Sequence, residues 1–203
     1  MENNIAVLAS TKATDMQAII DAIQAGRLNA NLKLVISNKK DSFSLERARK
    51  YDIKSAFIDP KDKSKEEYDR LISDMLEENN IRLILLIGYM KLMSSWFVSK
   101  YKNKVMNIHP SLLPAFAGDM DLNVHRAVLE RGCKLTGASL IFINEGPDTG
   151  PIIMQKAVEV NEDDGEESLK IKVQEAEQEL LLEAIPLYFA GKIVVTGKKV
   201  NIK

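Results

Sequence analysis

Two rhythms of hydrophobic and polar positions take turns along this chain, one with the period of a strand and the other with the period of a helix. Ile5 to Ala9 is a short apolar run, and Met16, Ile19, Ile20 and Ile23 then recur at helical spacing, so the chain opens strand, tight turn, helix. A second strand, Leu32 to Ile36, leads through a polar turn into the helical segment Phe43 to Tyr51. Lys54 to Ile58 predicts a third short strand, closed by Asp59-Pro60. Two stretches have the form of a helix capping box: Thr14-x-x-Gln17, and Ser64-x-x-Glu67 ahead of the apolar stripe Tyr68, Leu71, Ile72, Met75 and Leu76. Leu83 to Ile87 is apolar at every position, as expected of a central parallel strand covered on both faces.

Lys104 to Ile108 has the character of another short buried strand, and Pro110, which has no N–H to give to a ladder, stops it. A helix is predicted from about Asp121 to Arg131, ended by Gly132. Leu135 to Ile143 and Ile152 to Val160 read as strands, with antiparallel pairing in this part of the sheet. The acidic stretch Asn161 to Glu167 reads as a solvated loop entering a long helix from about Glu167 to Phe189, kinked at Pro186. Ile193–Val195 and Lys198–Val200 flank Thr196-Gly197 as a terminal hairpin. The sum is an α/β fold in one domain, residues 1–203: a twisted sheet, parallel in its first half and mixed in its second, with helices on both faces.

Composition narrows the partners. With 203 residues, 45% hydrophobic and 28% charged, the chain has the makeup of an ordinary globular domain with a sizeable core. A net charge of -1 gives no whole-molecule attraction to nucleic acid or to acidic membranes. The one cysteine, Cys133, excludes an internal disulfide and points to a reducing compartment. Met1-Glu2-Asn3-Asn4 lacks the basic and apolar regions of a signal peptide, and no apolar run has membrane-spanning length, so a cytoplasmic location is expected. There are two histidines, too few for a His-rich metal site, and no metal is expected.

One of those histidines sits in the most suggestive place. Side chains two apart on a strand share a face, so Asn107 and His109 project together while Ile108 turns into the core. The carboxyl ends of strands in an open α/β sheet border the ligand crevice. By residue type alone, however, a histidine beside an apolar strand is more often a hydrogen-bonded structural residue than a catalyst. His125, on the predicted helix, reads as structural. Met90, Leu92 and Met93 read as core filler, and Lys65 as an exposed lysine in a first helical turn.

The string Asn107-Ile108-His109-Pro110-Ser111-Leu112-Leu113-Pro114, with Glu145-Gly146-Pro147-Asp148-Thr149-Gly150-Pro151 further on, changes the weighing. Together they resemble the folate-dependent formyltransferases, most closely the members that formylate glycinamide ribonucleotide (GAR), and the resemblance runs from the first strand to about Ala190. It implies a Rossmann-like formyltransferase fold, with residues 1–100 as the ribosyl-phosphate half and 101–203 as the catalytic and folate half. It implies 10-formyltetrahydrofolate as formyl donor and GAR as acceptor in de novo purine biosynthesis. Asn107, His109 and Asp148 become the catalytic group. Met90, Lys91, Leu92, Met93 and Val98, with Asp148, become the folate site. Thr11, Lys12, Ala13, Thr14 and Asp15, with Lys65, Gln174 and Glu177, become the GAR site. The partners expected are these small molecules, with no nucleic acid or membrane, and a homodimer is left open.

The chain departs from the family pattern at the turn after the first strand. Thr11 and Ala13 stand where the family has glycines, and Asp15 where it has asparagine, while Lys12 adds a cation. Asn123 takes the place of a family histidine, and the Ala115–Met120 loop is longer than usual. A methionyl-tRNA formyltransferase is disfavoured by length and charge. A formyltetrahydrofolate hydrolase is disfavoured because the first strand begins at once. A non-catalytic folate- or nucleotide-binding relative is disfavoured by the complete catalytic group.

Overall fold

A computed structural model describes residues 2–118 and 122–203, so the expected loop positions Asp119 and Met120 and helix start Asp121 lie outside the described residues. The chain gathers into two compact units, 1–106 and 107–203. In the first, β1 (Asn4–Leu8), β2 (Asn31–Ser37), β3 (Lys54–Phe57) and β4 (Leu83–Leu86) pair in parallel in the order β3-β2-β1-β4. The helices α1 (Thr14–Gln24), α2 (Phe43–Lys50) and α3 (Lys65–Glu78) are the crossovers. Ile5 to Leu8 on β1 and Leu83 to Leu85 on β4 are wholly buried, which explains their unbroken apolar runs. The chain adds β2 and β3 on one side of β1 and then returns to place β4 on the other. Right-handed crossovers therefore put α1 and α2 on one face and α3 on the opposite one.

The short helix α4 (Ser95–Lys100) leads into β5 (Val105–His109), the strand next to β4 in the sheet order. In the second unit the order continues through β6 (Leu135–Phe142) and β7 (Ile152–Glu159), which pair antiparallel. The helix α5 (Leu122–Glu130) and the long α6 (Glu166–Phe189), which runs through Pro186, belong to this unit. The predicted hairpin is present as β8 (Ile193–Thr196) and β9 (Lys199–Ile202). No helix among the described residues is long and apolar enough to cross a membrane.

Two local readings need correction. The capping box at Ser64 forms in full, with Glu67 N–H on Ser64 Oγ at 3.2 Å and Ser64 N–H on Glu67 Oε2 at 2.8 Å. The one at Thr14 does not, because Thr14 is already inside α1 and the N-cap is Ala13, in the left-handed region at φ 45°. Gln17 instead donates to Asp21 Oδ1 and Tyr51 Oη. The acidic stretch before α6 is also not all solvated: the Asp164 side chain is 4% exposed and takes bonds from Asn161 N–H, Ser168 Oγ and Lys172 Nζ.

Candidate active site

β5 ends at His109, as Pro110 dictates, and the strand's two-residue period brings Asn107 and His109 to one face. The third member arrives from the loop between β6 and β7. Asp148 stands at φ 50°, a conformation an aspartate tolerates better than most residues. This loop has little freedom. Gly150 passes so close to β6 that a Cβ there would lie 1.8 Å from the Phe142 carbonyl oxygen, so only glycine fits at that position. Asn144 Oδ1 accepts from Gly146 N–H at 3.2 Å and from Thr149 Oγ1 at 2.9 Å, closing the loop on itself.

The result is a carboxylate with every oxygen engaged. Asn107 Nδ2 donates to Asp148 Oδ1 at 3.0 Å, Gly118 N–H donates to Oδ2 at 3.0 Å, and His109 Nδ1 lies 3.4 Å from Oδ2. His109 is buried, and its Nε2 faces the Phe116 carbonyl oxygen at 3.1 Å. The ring thus meets an oxygen at each nitrogen. Phe116 in turn packs against Val124, Val128 and Leu169, anchoring that carbonyl.

The backbone after His109 is fixed by groups that the sequence reading passed over. Ser139 Oγ donates to the Ser111 carbonyl at 2.6 Å and accepts Leu113 N–H at 2.9 Å. Gln155 Nε2 bonds both Leu113 O, at 3.0 Å, and Ser139 Oγ, at 2.8 Å. Ser111 Oγ donates to Ala115 O at 2.5 Å. Phe116 and Gly118 were missed as well, since they act through backbone groups. The Ser-Leu-Leu-Pro string was the available signal for this braced turn.

The other expected residues are distributed as follows. In the first unit, Thr11 to Ala13 lie in the turn from β1 into α1, and Thr14 and Asp15 are the first residues of that helix. Thr11 and Thr14 are half-buried, Lys12 is exposed with Nζ 5.8 Å from the Phe43 ring, and Ala13 and Asp15 are buried. Lys65 is exposed at the start of α3. Met90 and Leu92 are exposed, Met93 is buried, Val98 is half-buried, and Lys91 Nζ lies 5.2 Å from the Tyr68 ring. Beside this loop Asp69 accepts Ser94 N–H at 2.5 Å. Burial raises its carboxyl above the ordinary range, against that bond and the nearby Lys65 and Lys91. Burial also pushes up the Tyr89 phenol, whose hydroxyl donates to Tyr68 Oη at 3.4 Å. In the second unit, Gln174 and Glu177 lie one turn apart on α6, half-buried and buried respectively. His125 is buried on α5.

Residues 3–185 match the formyl transferase family. The phosphoribosylglycinamide formyltransferase of Escherichia coli K12 is 36% identical over 191 residues, 94% of this chain and 89% of that protein. The trifunctional purine biosynthetic protein adenosine-3 of Gallus gallus is 38% identical over 192 residues. That alignment takes in 94% of this chain, which spans only 19% of the larger protein. Among solved structures, glycinamide ribonucleotide transformylase 1 from Symbiobacterium toebii superposes with a TM-score of 0.93 at 37% identity, over 99% of this chain and 94% of that one.

Proposed function

The chain belongs to the formyl transferase family, and we propose that it transfers the formyl group of 10-formyltetrahydrofolate to the amine of GAR, a cytoplasmic step of de novo purine biosynthesis. The observation that carries this reading is the meeting of Asn107, His109 and Asp148. A purely binding relative has no use for an amide and an imidazole oriented by one shared carboxylate.

The amine nitrogen attacks the formyl carbon, a C–N bond forms, and negative charge develops on the formyl oxygen. Asn107 has two amide hydrogens; one is held by Asp148, which leaves the second for that oxygen. His109 presents Nε2–H to it, the formyl oxygen taking the place of the Phe116 carbonyl. Donors fixed in advance towards a developing charge lower the barrier because they need no reorganisation as it forms. Asp148 keeps His109 oriented and, through an ordered water, relays the proton lost by the amine to the folate nitrogen as the old C–N bond breaks. The products are formyl-GAR and tetrahydrofolate. Thr11–Asp15 and Lys65 are assigned to the ribosyl phosphate. Gln174 and Glu177 are assigned to the ribose and glycinamide part, and Met90–Met93 with Val98 to the pterin.

The test is a spectrophotometric assay of folate release with and without GAR. Release that requires GAR is expected, and His109→Ala should lower turnover by at least about 10²-fold, the lower range for a positioned acid–base group. Release without GAR would point to hydrolysis, and an unaffected variant would remove His109 from the mechanism.

A further inference from the structure

Where a parallel sheet reverses the direction in which it adds strands, the carboxyl ends of the two strands at the reversal border the ligand crevice. Here those strands are β1 and β4. One buried side chain ties their ends together. Ser10, 3% exposed, donates its Oγ proton to Asn38 Oδ1 at 2.6 Å, and the same oxygen accepts Met90 N–H at 2.8 Å. Its backbone N–H donates to the Gly88 carbonyl at 3.0 Å. Between these anchors Gly88 adopts φ 59°, and a Cβ there would lie 2.2 Å from Thr11 Oγ1. The turn after β1 and the loop after β4 are therefore interlocked at residues 10, 11, 88 and 90. Ser42 Oγ, on the Thr11 carbonyl at 3.0 Å, braces the turn from the side of α2.

The order of the bonds on Ser10 matters. A hydroxyl whose proton is committed to one acceptor becomes a better acceptor itself, so the Asn38 bond strengthens the hold on Met90 N–H. An alanine at position 10 would strand that N–H and release the loop into other orientations. A ligand that needs one orientation then binds more weakly, in proportion to the fraction that retains it.

We infer that Ser10 is a positioning residue for the formyl donor, acting through the Met90 amide to set the Met90–Met93 loop. The inference rests on the assignment of that loop to the pterin. Calorimetric titration of the purified chain with a 10-formyl folate, alongside steady-state kinetics, tests it. Ser10→Ala should weaken folate binding about five- to tenfold, with kcat and the KM for GAR within about threefold, and Asn38→Ala should shift folate affinity the same way by less. A variant that had only lost folded molecules would show a lower kcat and fewer binding sites at an unchanged folate Kd. That result, or an unchanged Kd with full occupancy, overturns the inference; if Ser10→Ala does not fold, an unchanged Kd in Asn38→Ala does so. Wild-type protein that binds folate without formylating GAR overturns the proposed reaction and leaves Ser10 to be judged on the titration. Wild-type protein that binds no folate overturns both.

Discussion

Asp148 shows how much one residue can be asked to organise. Its two oxygens take Asn107 Nδ2–H and Gly118 N–H and face His109 Nδ1, so it fixes both proposed donors and the loop beside them. Asp148→Asn keeps the volume but replaces one acceptor edge with a donor, which must then oppose either the Asn107 amide or the Gly118 N–H. We expect kcat at saturating substrates to fall by about 10²-fold or more in Asp148→Asn and in Asp148→Ala, whereas a value within about threefold of wild type would show that the carboxylate is dispensable. The alignment of Asn107 with His109 was legible in the sequence because a strand's period is fixed at two, and Pro110 marked where the strand stops. Gly118 N–H and Phe116 O were not legible, because backbone groups look alike in every sequence. Ala13 hid a further point. The sequence placed a cap at Thr14, whereas the chain turns one residue earlier by putting an alanine in the left-handed region, which glycine enters at no steric cost.

At the scale of elements, the alternation of apolar runs and helical stripes was enough to place the strands and helices, and the uniform burial of β1 and β4 explains why their runs are unbroken. The entrance to α6 was less legible, because a run of acidic residues gives no sign of which one turns inward. Asp164 does. It accepts Asn161 N–H at 2.8 Å, Ser168 Oγ at 2.9 Å and Lys172 Nζ at 2.7 Å, while Ser168 Oγ in turn accepts Gly165 N–H at 3.0 Å. The Lys172 and Asn161 bonds hold the Asp164 carboxyl below the ordinary carboxylate range. A group with a lowered folded-state value contributes stability that is present above its unfolded value and is lost as pH falls through the folded one. Asp164→Ala should therefore lower stability at pH 6 by about 1–2 kcal/mol, as for the loss of a helix cap, and the gap to wild type should begin to narrow below about pH 3.9. Urea unfolding of both proteins at pH 6 and at pH 3 measures this. An equal gap at the two pH values would mean that the side chain acts through packing alone.

For the whole molecule, the question is how a nearly neutral protein would recruit the two anionic substrates proposed for it. The net charge of -1 supplies no long-range attraction, so capture has to come from cations placed locally. Lys12, exposed on the turn that leaves β1 and held beside the Phe43 ring, is the cation we propose for this. On this turn Thr11 and Ala13 carry side chains that would limit how closely the backbone could approach a phosphate. A side-chain charge compensates for weaker backbone contact, and it acts before and during the reaction alike. Binding that is equal in ground and transition states appears in KM and not in kcat. Lys12→Ala should raise the KM for GAR by about fivefold, with kcat nearly unchanged, because one partly screened charge on a phosphate is worth roughly 1 kcal/mol. The ratio between wild type and variant should shrink as salt is raised from 0.05 to about 0.5 M, since screening removes the same interaction in the wild type. Kinetics at the two salt concentrations decide the matter. A KM for GAR that does not respond to Lys12→Ala at low salt would return phosphate capture to the backbone of the turn, and an effect on kcat alone would place Lys12 in the chemistry instead of in binding.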